Sequence, residues 1–350
     1  MKALSALALA LAACHLHARA PALPRLPPAG VSISIYDSFA VIDDRSWVTV
    51  TGTSLALDHI LPGAALASLT IESDLHVAAC RREPAATASG TVRCDVTGTP
   101  GRHLVRLLYM SSALHYRALH DITVTADRAT VTSRFSIDTP AWGGRADLAL
   151  FDGDPGADHV PREIARGIVA LDGSIAELAP PPRGAPATLS RIYDGAVLDD
   201  APPTDPAWGR ESQTAVWVWL ELEGVTLVSG AVRVHTGDHD VVVAPDAGRT
   251  DGSRLRLPLW ADTDLHGARQ RFVDLGAGAG LAERVVLAVT NAGRESREVW
   301  VLEHLRPAPR RRIEHAWPAR PVAVGDVVRT MLVVKPGAVG RTSFTIAYDY

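Results

Sequence analysis

The amino-acid sequence predicts an all-β protein of antiparallel β-sandwich modules, a small N-terminal β domain followed by a larger C-terminal β domain with a Pro-rich loop. Three observations carry this. Short segments alternate apolar and polar residues with period two and are rich in Val, Ile, Thr and aromatics, as strands with one buried face are. Turn-forming residues punctuate those segments, with 28 Gly and 24 Pro among 350 residues. No heptad pattern is present, and past the first residues no apolar run is long enough to cross a membrane as a helix. A hydrophobic content of 47% supplies a core, and a charged content of 21% sets aside a disordered tail.

The N-terminal domain is expected over 31–98. Val31–Tyr36 places apolar residues at every second position, Trp47–Thr53 repeats this with β-branched residues, and Leu69–Glu72 and Leu75–Val77 continue it. The C-terminal domain, 99–350, opens with Leu104–Tyr109, Ile122–Thr125, Ala129–Ile137 and Ala146–Phe151. Residues 179–208 hold Pro180, Pro181, Pro182, Pro186, Pro202, Pro203 and Pro206 and read as a long loop or an inter-sheet crossover. Strands follow at Ala215–Leu222, Val232–His235, Val285–Val289 and Val299–Leu302. The last is Thr342–Tyr350, with Phe344, Ile346 and Tyr348 on one face. Pro161–Ala170 and a turn near Leu55–Ala67 are the only helical candidates. Arg310-Arg311-Arg312, after Pro307 and Pro309, reads as a solvated loop able to touch acidic glycan or lipid headgroups.

The first residues carry an address. Lys2 precedes an apolar run from Ala3 to Ala13, and Leu11-Ala12-Ala13-Cys14 resembles the lipobox of bacterial lipoproteins. That resemblance implies a signal peptide over 1–14, lipidation of Cys14, and a membrane partner reached through the lipid anchor. Each buried methylene of such an anchor contributes about 0.8 kcal/mol. Ala18-Arg19-Ala20 also fits a signal-peptidase site that would release a soluble protein, although Pro21 directly after it makes a poor substrate. Residues 15–30 form a Pro-rich linker. His15, standing where inner-membrane lipoproteins often carry Asp, fits sorting to the outer membrane. The expected location is therefore the cell envelope, outside the cytoplasm.

Charge and cysteine usage narrow the chemistry. A net charge of −4 gives no electrostatic case for nucleic acid. Lys2 and Lys335 are the only lysines, leaving little room for Schiff-base or phosphate-loop chemistry. Cys80 and Cys94 flank turn-like sequence and in an oxidising compartment read as one disulfide closing a hairpin. Such a short loop contributes about 3 kcal/mol in the chain-entropy model. A metal pair or free thiols are the alternatives, and two cysteines with no nearby His pair make a poor zinc site.

Few motifs suggest a site. Asp152, Asp154, Asp158 and Glu163 have the alternating acidic spacing of a calcium loop, the one cofactor the sequence hints at. Ala157 stands where such loops need Gly, and Pro155 intrudes, so an ordinary acidic turn is the plainer reading. His235 and His239 with Asp238 and Asp240 read as a hairpin turn around Gly237 and not as a metal face. His115 and His120, five positions apart, face opposite ways on a single strand. No Gly-x-Ser-x-Gly elbow, His-Glu-x-x-His helix or Gly-rich phosphate loop is present. Trp217 and Trp219 share one face of a strand, either packed in the core or exposed as a platform for sugar rings or a partner.

Several segments carry a family resemblance. These are Leu107-Leu108-Tyr109, Asp138-Thr139-Pro140-Ala141-Trp142 before Ala146–Phe151, and Leu227–Val234. Val289-Thr290-Asn291-Ala292 before Val299–Glu303, and Pro336-Gly337 before Phe344–Tyr348, complete the set. With them, residues from about 101 to 350 resemble the C-terminal β domain of mucoidy-inhibitor-A-like proteins, and 31–96 is similar in outline to their small N-terminal β domain. The resemblance implies two β modules and no catalytic residues. The functional expectation is a non-enzymatic, lipid-anchored envelope protein presenting sandwich surfaces to an envelope protein or polysaccharide. The alternative is a carbohydrate-active hydrolase using carboxylates of 152–158 and 194–205.

Overall fold

The computed structural model describes residues 30–61, 63–83, 90–156, 160–197, 208–209, 211–244, 249–251, 253–275, 280–318 and 320–349. Cys14, the signal-like segment, most of the linker, Asp158 and the prolines at 202, 203 and 206 lie outside the described residues. Within them the chain is all-β, as the alternation predicted. In order the strands are β1 (Gly30–Ile35), β2 (Ala40–Val50), β3 (Ser54–Ile60), β4 (Thr70–Glu72), β5 (His76–Arg82), β6 (Gly90–Thr97), β7 (Gly101–Ser111) and β8 (Tyr116–Thr125). Next come β9 (Arg128–Asp138), β10 (Arg145–Asp152), β11 (Arg162–Ala170), β12 (Ile175–Leu178), β13 (Arg183–Asp194), β14 (Ala215–Glu223), β15 (Gly230–Thr236) and β16 (His239–Val243). The last are β17 (Arg249–Asp251), β18 (Arg254–Leu275), β19 (Gly280–Asn291), β20 (Arg297–His304), β21 (Arg310–Trp317), β22 (Val322–Val324), β23 (Val327–Val334) and β24 (Val339–Asp349).

Four local expectations are corrected. Pro161–Ala170 is not a helix: Arg162–Ala170 is β11, where β-branched Ile164, Ile168 and Val169 favour extension. Gly167 is also crowded, because a Cβ there would lie 2.6 Å from a Leu178 methyl. In Leu55–Ala67 the chain forms β3, with Leu55 and Leu57 buried, and only Leu66–Ser68 makes a helical turn. The Pro-rich stretch contains β13, since Pro186 sits on the exposed face between buried Ala185 and Ala187. Arg310–Arg312 is not loop but the start of β21, pairing with Asp349, Tyr348 and Ala347 of β24. Its arginines suit an edge strand, where charge discourages further pairing.

The chain divides into two compact units. The first contains Ala40–Ala113, so it runs past 98 because β7 is the ladder partner of β2 over all eleven residues, Ala40↔Ser111 to Val50↔Gly101. β4 pairs with β7, and β3, β6 and β5 form a separate three-stranded sheet. Cys80 and Cys94 face each other across the β5–β6 pair and are joined by a disulfide, as the hairpin reading required.

The second unit holds two hydrophobic cores threaded by the same three long strands, β13, β14 and β18. The first core gathers Ile122, Val124, Val131, Ala187, Leu220, Leu222, Val232, Val234, Leu255 and Leu257. The second gathers Tyr193, Val216, Leu265, Val285, Leu287, Val299, Val301, Leu332, Phe344 and Tyr348. Register shifts between β14 and β18 at Ala215/Trp217 and Val218/Trp219 fall where the strands pass from one core to the other. Such bulges bend a strand, which lets each pair of ends wrap a different core. Gly267 is required in the second core, since a Cβ there would sit 2.0 Å from the Tyr193 ring. In the second unit two ladders are parallel, β15 with β8 and β13 with β20, among antiparallel ones such as β8 with β9, β14 with β18 and β19 with β24.

Candidate functional site

Beside the first core lies a cleft of about 150 Å³, lined by His120, Ser133, Phe135, Arg162, Glu163, Pro180, Arg183 and residues of 224–228. Its polar floor follows from strand alternation. On β8, Ala118, His120, Ile122 and Val124 point inward; on β9, Val131, Ser133, Phe135 and Ile137 do. Register sets His120 directly opposite Ser133. A mouth of a closed-in β core is a common ligand position, because the last inward residues there face space instead of other side chains.

The geometry fixes the histidine's tautomer. His120 Nε2 is 3.1 Å from the Val228 carbonyl oxygen, an acceptor only, so Nε2 carries the proton and donates. Nδ1 is then a lone pair, and the Ser133 hydroxyl donates to it at 2.8 Å. Burial holds His120 below the ordinary histidine range, outweighing the Val228 bond and the nearby Asp121 charge. Asp121 is itself engaged by Arg134 at 2.8 Å. The result is a neutral imidazole with its acceptor nitrogen on a serine hydroxyl, at the floor of an accessible cleft.

A second feature lies on the outer face of the sheet. β14 buries Val216, Val218, Leu220 and Leu222 and turns Trp217 and Trp219 the other way, with Trp217 37% exposed. Core packing of this pair is thereby set aside: the alternation that buries the valines and leucines directs both indoles away from the core. Ile192 of β13 stands between Trp217 and Trp300, pairing with each. Trp300 is opposite Met331 of β23, 46% exposed. Trp217, Ile192, Trp300 and Met331 thus form one row across four strands, with the Arg329 guanidinium over Trp300 at 5.3 Å. Strand spacing puts the two tryptophans about 10 Å apart.

The remaining predicted site residues do not converge. Asp152 pairs with Arg162 at 2.8 Å, Asp154 accepts from the amide and hydroxyl of Ser38, and Glu163 is held by Arg166 at 2.8 Å, which keeps its carboxyl below the usual range. Each carboxylate therefore serves a different donor, and among the described residues no group of three such ligands gathers. Asp194, from the other acidic stretch, pairs with His304 at 2.9 Å. His235 bonds Asp240 within the β15–β16 hairpin, and His239 packs on Trp260 at 4.4 Å, so that segment is the turn it was expected to be. His115 is exposed and His120 buried.

Sequence reasoning missed Ser133 and Trp300 as site residues. A signal for Ser133 existed: a two-residue turn at Ala126–Asp127 pairs Thr125 with Arg128, and counting back from it sets His120 against Ser133. Nothing linear joins Trp300 to Trp217. No family model matches the chain, and neither does any curated protein.

Proposed function

We propose that this is a lipid-anchored cell-envelope protein that binds polysaccharide along the outer face of its second unit. The observation carrying this is the row Trp217–Ile192–Trp300–Met331, which offers flat apolar surface on a sheet face that also carries exposed Val333. Glu221–Arg256 and Glu223–Arg254 pairs continue the same face of β14 and β18 beyond Trp219. Sugar rings present apolar C–H faces that stack on indoles, and rigid aromatics supply contact area at little entropic cost. The Leu11–Cys14 lipobox supports the anchor, and the expected outer-membrane address would set the binder beside such chains. Membership of the mucoidy-inhibitor-A-like proteins is part of this proposal and adds no site residue to it.

Affinity electrophoresis through gels containing neutral or acidic polysaccharides tests the reading. The intact protein is expected to be retarded by at least one polysaccharide, and Trp217→Ala and Trp300→Ala should each weaken binding about tenfold or more. Equal mobility of all three proteins in every gel would overturn it.

A further inference from the structure

We propose that the cleft of the first core is an acyl-transfer site in which Ser133 is the nucleophile and His120 its general base, acting on carboxylic esters of short acyl groups. The inference is separate from polysaccharide binding and rests on four observations. First, the Ser133 hydroxyl already donates to His120 Nδ1 at 2.8 Å, the distance at which an imidazole removes a proton as the oxygen attacks. Second, the Val228 carbonyl holds Nε2–H at 3.1 Å and so locks the tautomer that leaves Nδ1 free to accept; in a three-residue arrangement a carboxylate has this orienting task. Third, both groups line the same cleft, so the nucleophile is reachable although the imidazole is 1% exposed.

Fourth, the cleft holds what an ester needs around it. Val131, Phe135, Ile164 and Leu227 supply apolar wall for an acyl chain, and a volume of about 150 Å³ suits a small group. An apolar cavity of roughly this size accommodates a benzene-sized guest. The backbone of 225–228 lines the cleft outside any strand ladder, and Arg183, which has no ion pair among the described residues, lines it too. Amide and guanidinium donors are the groups that stabilise the negative charge developing on a carbonyl oxygen.

The chemistry balances with water as the only co-reactant. Ser133 Oγ bonds to the ester carbonyl carbon as its proton passes to His120 Nδ1. The carbon–oxygen bond to the alcohol then breaks, and the departing oxygen takes that proton, leaving an acyl group on Ser133. Water attacks the acyl carbon, giving a proton to Nδ1. Oγ leaves, recovers the proton, and the carboxylic acid is released.

The test uses the full chain, incubated with a fluorophosphonate and mapped by peptide mass spectrometry, alongside hydrolysis of p-nitrophenyl acetate. One phosphonyl adduct on Ser133 is expected, with Ser136, three positions along β9 and on the opposite face, unmodified. Ser133→Ala should abolish labelling there and reduce ester hydrolysis at least tenfold, while His120→Gln should slow labelling of Ser133 about hundredfold. The wild-type labelling decides the matter even if a variant fails to fold. Folded wild-type protein with no adduct on Ser133, or adducts scattered over serines at equal rates, would overturn the proposal. So would hydrolysis unchanged in a folded Ser133→Ala protein.

Discussion

The two cores of the second unit share three strands yet end in opposite ways. The first ends in a neutral pair, His120 and Ser133, beneath open space. The second is sealed by charge: Arg269 grips Glu303 through two bonds of 2.7 Å, while Arg271 and Arg306 both bond Glu283, the latter at 2.5 Å. The Tyr348 hydroxyl donates to the second Glu283 oxygen, and the Arg269 Nη1 and Arg271 Nη1 groups donate to the Gly209 and Trp208 carbonyls. The Trp208 ring lies beside the guanidinium carbons of Arg271 and Arg306, at 5.8 and 5.5 Å. Glu283, Glu303 and Arg306 are almost wholly buried. Burying charge is costly unless it is paired and hydrogen-bonded; both carboxylates here are, although Arg271 Nε is left without a partner, and this end is packed closed. A neutral imidazole carries no such demand and can floor a cleft. The difference teaches what each end is free to do: the charged cluster is committed to structure, whereas the neutral pair leaves the half-buried Ser133 hydroxyl lining a cleft, backed by a buried imidazole.

Breaking the sealed end should have the largest effect. Glu283→Ala strands two guanidinium groups and is expected to cost about 3–5 kcal/mol, measured as a lowered urea midpoint. An unchanged midpoint would mean water already reaches that cluster. Gly267→Ala forces a methyl into the Tyr193 ring and should cost about 1–3 kcal/mol by the same measurement. At the open end, Ser133→Ala removes one hydrogen bond beside space that water can enter, so a loss of about 1 kcal/mol or less is expected. A cost equal to that of Glu283→Ala would erase the contrast between the two ends.

Acidity sharpens the same comparison through two histidines shifted in opposite directions. Asp194 raises His304, so its contribution to stability is complete below about pH 6.5 and is lost as pH rises through its folded value. Burial lowers His120, so its contribution is complete above about pH 6.5 and is lost as pH falls toward its folded value. Thermal denaturation against pH should therefore show His304→Gln removing dependence on the alkaline side of 6.5 and His120→Gln on the acid side. The same slope for both variants would contradict the assignment.

Much of the fold was legible because strand alternation is local: Trp217, Phe344 and the disulfide hairpin could be placed from neighbours in sequence. The helical candidate Pro161–Ala170 proved to hold a strand, β11, where β-branched Ile164, Ile168 and Val169 favour extension. The prolines before β13 hid a strand whose ladder accommodates Pro186 on its exposed side. The candidate cleft was not legible. His120 drew notice only beside His115, as two histidines facing opposite ways, and its partner Ser133 depended on hairpin register.

By itself the sequence determined an all-β chain, a disulfide between Cys80 and Cys94, and which residues of each strand could share a face. Tertiary structure alone decided that His120 meets Ser133 under an open cleft, that Arg271 and Arg306 divide Glu283, and that Trp217 aligns with Trp300. The reason is the range of the forces involved. Alternation acts between residues two apart. Hydrogen bonds and ion pairs act over about 3 Å, and only the folded sheets bring residues as distant as 120 and 228 within that reach.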